Sequence, residues 1–176
     1  MRKKLVLFFM AVAFAATTCA ASNIEIGGSS NDFGSDTTEN GFYIGLQKTQ
    51  TLNKGVIVGL GFNVNTFQVQ RKEVSSTLIV TTSGAAYTMA ADLLLGYSLE
   101  ERLKIPLIVT AGVGYGVTRD NIVNENSWNP IYSASASLTI YKSLGIGVRY
   151  STTTTELLGV DDVEIQSYAV YLNIRY

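Results

Sequence analysis

The stretch KIPLIVTAGVGYGVT, from Lys104 to Thr118, alternates strictly. Ile105, Leu107, Val109, Ala111, Val113, Tyr115 and Val117 share one phase. Pro106, Ile108, Thr110, Gly112, Gly114, Gly116 and Thr118 share the other. Successive side chains of a strand point to opposite faces, so this segment reads as a strand with one greasy face and one that is mostly tiny or polar. The pattern recurs at Val56–Val64, Tyr87–Tyr97, Tyr132–Ile140 and Leu144–Tyr150. Phe42, Ile44 and Leu46 continue it toward the N-terminus, the weaker segment Asn23–Gly28 carries Ile24 and Ile26, and Tyr168–Tyr176 ends the chain, giving eight strands.

The connections alternate as well. Those near Thr51–Lys54, Leu99–Leu103 and Lys142–Ser143 are short, whereas Ser29–Asn40, Arg71–Ala86, Arg119–Pro130 and Thr153–Glu164 are long and polar. Short turns at one end and long loops at the other predict an all-β fold: an eight-stranded, up-and-down antiparallel barrel crossing a membrane, with short periplasmic turns and long extracellular loops. A soluble up-and-down barrel is the competing fold. It must show water one of its faces, yet here the second face is Gly, Ser, Thr and Ala, and the first carries almost no charge, Lys48 being the exception. Eight such apolar faces far exceed the few hundred Å² of exposed apolar patch that a soluble monomer tolerates. Only 15% of the 176 residues are charged, against roughly a quarter in ordinary soluble domains.

Aromatic placement gives a second line of argument. Phe42, Tyr87, Tyr115, Tyr132, Tyr150 and Tyr168 have outward parity and lie toward the long-loop ends, while Tyr97 and Tyr176 lie at the short-turn ends. Amphipathic rings belong at membrane interfaces, so these residues are expected to form the two girdles. Leu93, midway between Tyr87 and Tyr97, is expected to face lipid, with Leu94 facing inward.

Arg2, Lys3 and Lys4 precede an apolar run from Leu5 to Ala16, which is signal-peptide length and too short to anchor a bilayer. Residues 1–21 are therefore expected to be a cleaved secretory signal and 22–176 the barrel domain. A lipid-modified Cys19 is the competing reading, weakened because Ala16, Thr17 and Thr18 lack the pattern such sites favour. Losing Arg2, Lys3 and Lys4 leaves ten cations against fourteen acids, a net charge of −4.

Candidate chemistry is sparse. The chain has no histidine and one cysteine, which removes the Ser-His and Cys-His dyads and the commonest metal ligand. No enzyme activity and no cofactor are expected. The formal charge of −1 gives no footprint for nucleic acid. Gly112, Gly114 and Gly116 fall at period two inside a strand, so they read as inward barrel glycines and not as a phosphate loop. Glu156, Asp161, Asp162 and Glu164 share one connection and read either as a solvated acidic loop or as oxygen ligands for Ca²⁺ or Mg²⁺. Trp128 is either an interaction anchor or a ring folded onto the barrel rim. Asp92 and Arg149 have inward parity on different strands, and a charge in a narrow lumen needs a partner, so the two are expected to pair.

The last strand runs Tyr168-Ala169-Val170-Tyr171-Leu172-Asn173-Ile174-Arg175-Tyr176 and alternates to a terminal aromatic. Here the chain resembles the small eight-stranded outer-membrane β-barrels of the OmpA/OmpX type. The resemblance is architectural and covers 22–176, without the periplasmic peptidoglycan-binding domain of full-length OmpA. It implies residence in the outer membrane of a Gram-negative bacterium, among lipid and lipopolysaccharide. It also implies that Tyr168, Val170, Leu172, Ile174 and Tyr176 form the signal read by the barrel assembly machinery. A monomer with a structural or surface-interaction role, in adhesion or envelope integrity, is expected, with the extracellular loops as the contact surface. The alternative is a narrow channel or transporter for small or hydrophobic solutes, which inward glycine and serine allow unless Tyr43, Tyr141 and Tyr171 fill the space.

Overall fold

A computed structural model describes residues 21–34, 38–74, 79–122 and 125–176. Eight strands form a closed antiparallel ring: β1 (Ala21–Asp32), β2 (Thr38–Thr51), β3 (Val56–Val74), β4 (Ile79–Ser98), β5 (Leu107–Asp120), β6 (Glu125–Tyr141), β7 (Leu144–Leu157) and β8 (Val160–Arg175). β1 pairs with β8 through Ile24↔Ile174 and Ile26↔Leu172, and Ser22 and Tyr176 exchange both backbone hydrogen bonds at 3.2 and 3.0 Å, so no strand edge is left open. The weak first segment is thus the strand that closes the ring.

Ladder partners fix the stagger. Stepping around the ring from Ser22 through Lys48, Leu60, Leu93, Val113, Tyr132, Thr152 and Gln166 returns to β1 at Asp32, ten residues above the start. Eight strands with that shear tilt by ~40° and enclose an interior just wide enough for side chains to fill.

Alternation sorts the residues as the period-two pattern requires. Leu93 is 52% exposed and Leu94 4%. Ile26, Ile44, Leu46, Phe62, Val113, Val148 and Val170 are exposed on the outer wall, while Asn63, Asp92, Ser133, Arg149 and Tyr171 are buried inside. No helix among the described residues is long and apolar enough to cross a membrane. A closed ring of strands satisfies its own backbone hydrogen bonds and spans lipid without one.

Two features depart from the sequence reading. The long polar stretches are largely strand: β3 and β4 stay paired out to Val74↔Ile79, and β7 and β8 out to Leu157↔Val160. Polar composition suggested loop, but β-branched runs such as Thr152 to Thr155 suit a pleated ladder. The β7–β8 connection is only Leu158-Gly159, both with positive φ (57° and 72°), as a two-residue type I′ turn demands. Leu158 occupies that strained position with its side chain packed on an apolar cluster. Second, Tyr141 does not enter the lumen. A register shift between Thr139 and Tyr141 breaks the alternation, and Tyr141 is 64% exposed beside the β6–β7 turn, with the Lys142 Nζ 5.2 Å from its ring centroid.

Candidate functional site in the barrel lumen

The interior is built in three layers, ordered by the strand register. The first of them, nearest the short turns, is charged. β4 brings Asp92 and β7 brings Arg149 into a buried ion pair across the lumen. The same Asp92 oxygen accepts from Asn63 Nδ2 at 3.0 Å and from the Ser133 hydroxyl at 3.4 Å. On its other side the Arg149 guanidinium lies 5.9 Å from the centre of the Tyr43 ring, and Tyr43 donates its hydroxyl hydrogen bond to Glu25 Oε2 at 2.6 Å. One cation is therefore flanked by Asp92 and by the Tyr43–Glu25 unit. Burying these groups is costly unless each is paired, and a water-poor interior strengthens each attraction.

Glycine makes the room for this layer. Tyr171 packs against Tyr43 with ring centroids 5.7 Å apart, and both rings lie over glycines. A Cβ at Gly45 would sit 2.6 Å from the Tyr43 hydroxyl oxygen, and one at Gly147 would sit 2.6 Å from that of Tyr171. Gly45 and Gly147 thus hold the space that the Tyr43 and Tyr171 rings fill, while a Cβ at Gly112 would meet Ser133 and Leu94 and one at Gly114 would meet Asp92. Gly147→Ala is expected to lower stability by about 1 to 3 kcal/mol through overpacking. Urea titration of the lipid-inserted protein checks this, and an unchanged midpoint would show that Tyr171 moves freely.

Toward the far end comes a ring of neutral polar groups. The Ser29 hydroxyl donates to Asn65 Oδ1 at 2.6 Å, Asn65 Nδ2 donates to Asn31 Oδ1 at 2.6 Å, and the Ser167 hydroxyl donates to Asn31 Oδ1 at 2.6 Å. Four side chains from β1, β3 and β8 are thereby cross-linked. Beside this ring a cavity of about 10 Å³, bordered by Asn63, Thr88, Thr153 and Ser167, has room for about one water.

Above it lies an apolar plug of Phe67, Val69, Ala86, Leu157 and Ile165, packed by Phe33, Ile122, Leu158 and Val163. The Phe33 and Phe67 ring centroids are 5.3 Å apart. Buried Asp120 fastens the mouth: its carboxylate accepts from the backbone N–H of Ile122 at 2.7 Å and of Leu158 at 2.9 Å, tying two hairpin ends together. Sequence reasoning missed this plug because Phe33, Ala86, Ile122, Leu157, Leu158 and Val163 fall in stretches assigned to loops, while Phe67, Val69 and Ile165 lie between those stretches and the strands read from the pattern. The signal was present, since Phe67 and Val69 continue the inward phase of Asn63 and Asn65.

The remaining expected residues take these places. Phe42, Tyr115, Tyr132, Tyr168 and Tyr176 are exposed on the outer wall, and Tyr87, Tyr97 and Tyr150 are half-buried there. Tyr150 meets Tyr168 at 5.1 Å, and Arg102 lies 6.0 Å from the Tyr97 ring centre. Val170, Leu172 and Ile174 are exposed between the two Tyr ends of β8. Trp128 stacks on Tyr115 at 6.2 Å, and the Tyr115 hydroxyl donates to the Trp128 carbonyl at 3.1 Å, so the indole lies flat on the wall. Glu164 accepts from Thr152 and Gln166, and among the described residues no group of three or more carboxylates is placed to hold a metal ion. Residues 1–20 of the expected signal segment, Cys19 among them, lie outside the described residues, and Ala21 opens β1.

Solved structures share this architecture. The chain superposes on Ail, the attachment invasion locus protein of Yersinia pestis, in its complex with the heparin analogue sucrose octasulfate. The TM-score is 0.54 at 15% identity, over 90% of this chain and 100% of that one. The chain has the fold of the small outer-membrane β-barrels. Neisserial surface protein A matches with a TM-score of 0.54 and 10% identity over 89% of this chain and 97% of that one. The outer-membrane enzyme PagL matches at 0.53 and 15% identity, over 88% and 99%. Neither a family model nor a curated protein matches the sequence. An attachment protein and an enzyme thus share one barrel, and the task of this outer-membrane-type barrel must be argued from its own residues.

Proposed function

We propose that this protein resides in the outer membrane of a Gram-negative bacterium as a sealed, non-enzymatic barrel. It serves the envelope as a structural element or as a contact surface presented by its four outer hairpins. The filled lumen carries this reading: among the described residues a buried Asp92–Arg149 pair, a polar ring and an apolar plug lie in series along the inside of the ring. A wall of exposed apolar side chains with tyrosines toward both ends supports the membrane setting. The complete lack of histidine argues against acid–base catalysis. The outer ends offer charge instead, with Glu156, Asp161, Asp162 and Glu164 all exposed on the β7–β8 hairpin.

Planar-bilayer recording of the refolded protein tests the sealed lumen. A baseline trace with no unitary current steps is expected; stable open steps would favour the channel reading. A second expectation concerns β8. Tyr176→Ser keeps the two backbone bonds to Ser22 but removes the terminal ring. It is expected to reduce outer-membrane assembly several-fold in cells while leaving detergent refolding nearly unchanged. Normal assembly in cells would remove the recognition role assigned to Tyr176.

A further inference from the structure

Lys48 is out of place. It has outward parity on β2, following Phe42, Ile44 and Leu46 on the apolar wall, three positions before the strand ends at Thr51. Its ladder neighbours are Ser22 and Leu60. Among the described residues it has no carboxylate partner. Beside it runs an open groove of about 330 Å³ walled by Leu46, Leu60, Phe62, Ala91 and Tyr176, with the polar Ser22, Asn23 and Gln47 also on its lining. The register sets the direction of this groove: it rises from Tyr176 and Lys48 at the short-turn end toward Phe62 and Ala91 near mid-wall, with buried Ala91 as its shallow back.

The short-turn end of the barrel, taken as a whole, carries more cations than acids. Lys54, Arg102, Lys104 and Lys142 all sit in the three short turns, opposed at that end by Glu100 and Glu101. A lysine on a lipid-facing wall extends its apolar stem along the surface and carries its ammonium to the headgroup level. The occupant that matches a groove with a cation at the interface and hydrocarbon walls running inward is an amphiphile with an anionic head.

We propose that this groove holds one anionic phospholipid of the periplasmic leaflet, with its phosphate on Lys48 and an acyl chain along Leu46, Leu60, Phe62 and Ala91. The proposal rests on the reading that the barrel spans the outer membrane with its short turns in the periplasm. The volume suits one chain, so the second chain lies in bulk lipid. The surplus of cations at this end selects a net-negative head over a zwitterionic one.

The test is lipid retention by native mass spectrometry. The protein is placed in nanodiscs of equal phosphatidylglycerol and phosphatidylcholine, after heat-modifiable gel migration has established insertion. One phosphatidylglycerol is expected to be retained over phosphatidylcholine by about fivefold, the increment of one lysine near an anionic surface. Lys48→Gln should remove that preference, Ala91→Phe should block the groove and remove it too, and Lys142→Gln, on a distant turn, should leave it. Insertion without any preference, a preference that survives Lys48→Gln, or equal losses in Lys48→Gln and Lys142→Gln would overturn the site while leaving the outer-membrane reading intact. Where Ala91→Phe does not insert, the two lysine variants decide alone. Failure of the unaltered protein to insert in any lipid would overturn the outer-membrane reading and the site together.

Discussion

Arg149→Met is expected to destabilise the inserted barrel by about 3 to 5 kcal/mol, the cost of leaving a buried charge without its partner. The substitution keeps an unbranched side chain of similar reach, so the loss reflects charge more than volume. Asp92 would remain fully buried on β4, with only Asn63 and Ser133 to hold its carboxylate, and Glu25 would lose the cation beyond Tyr43. The double variant Asp92→Leu/Arg149→Met should be closer to the unaltered protein than Arg149→Met alone, since removing both members of a buried pair is often neutral. Equilibrium urea titrations in liposomes measure both. A double variant no more stable than Arg149→Met would mean that the pair is not the source of the loss.

Leu93→Arg carries the second large effect. Its side chain lies on the outer wall midway between Tyr87 and Tyr97, where a cation faces the bilayer centre and costs about 2 to 4 kcal/mol. Leu94→Arg probes the other side of the same strand. Leu94 packs inside, within 2.9 Å of where a Cβ on Gly112 would lie, so that arginine meets a crowded polar interior beside Asp92. Its stability should therefore be insensitive to bilayer thickness, whereas that of Leu93→Arg should fall further in thicker bilayers. Refolding titrations in lipids of two chain lengths separate the two. An identical thickness dependence at both positions would remove the inside–outside assignment.

Period two places Leu93 outward and Leu94, Asp92 and Arg149 inward, because a closed antiparallel ring preserves parity from rim to rim. The meeting of Asp92 with Arg149 needs more than parity: it needs the ten-residue stagger, which carries β4 and β7 to one height and which no single strand encodes. Glu25, between Ile24 and Ile26, was not singled out from the sequence, and its bond to Tyr43 depends on Gly45 leaving space beneath the ring. Tyr141 departs from this parity. One irregular step after Thr139 reverses the phase, and nothing in the residues Ile140-Tyr141 announces it. The apolar plug stayed hidden for another reason: Leu157 and Ile165 stand among threonines and acids, and composition outweighed phase.

The barrel's place in a membrane depends most on which side of its wall touches lipid. A fluorophore attached to a single cysteine placed at position 93, and in a second variant at position 94, reports this directly in bilayers containing lipids brominated near the chain ends. Strong quenching at 93 and little at 94 is the predicted result; strong quenching at 94, or equal quenching at both, would contradict the barrel's orientation toward the membrane and with it the sealed polar lumen.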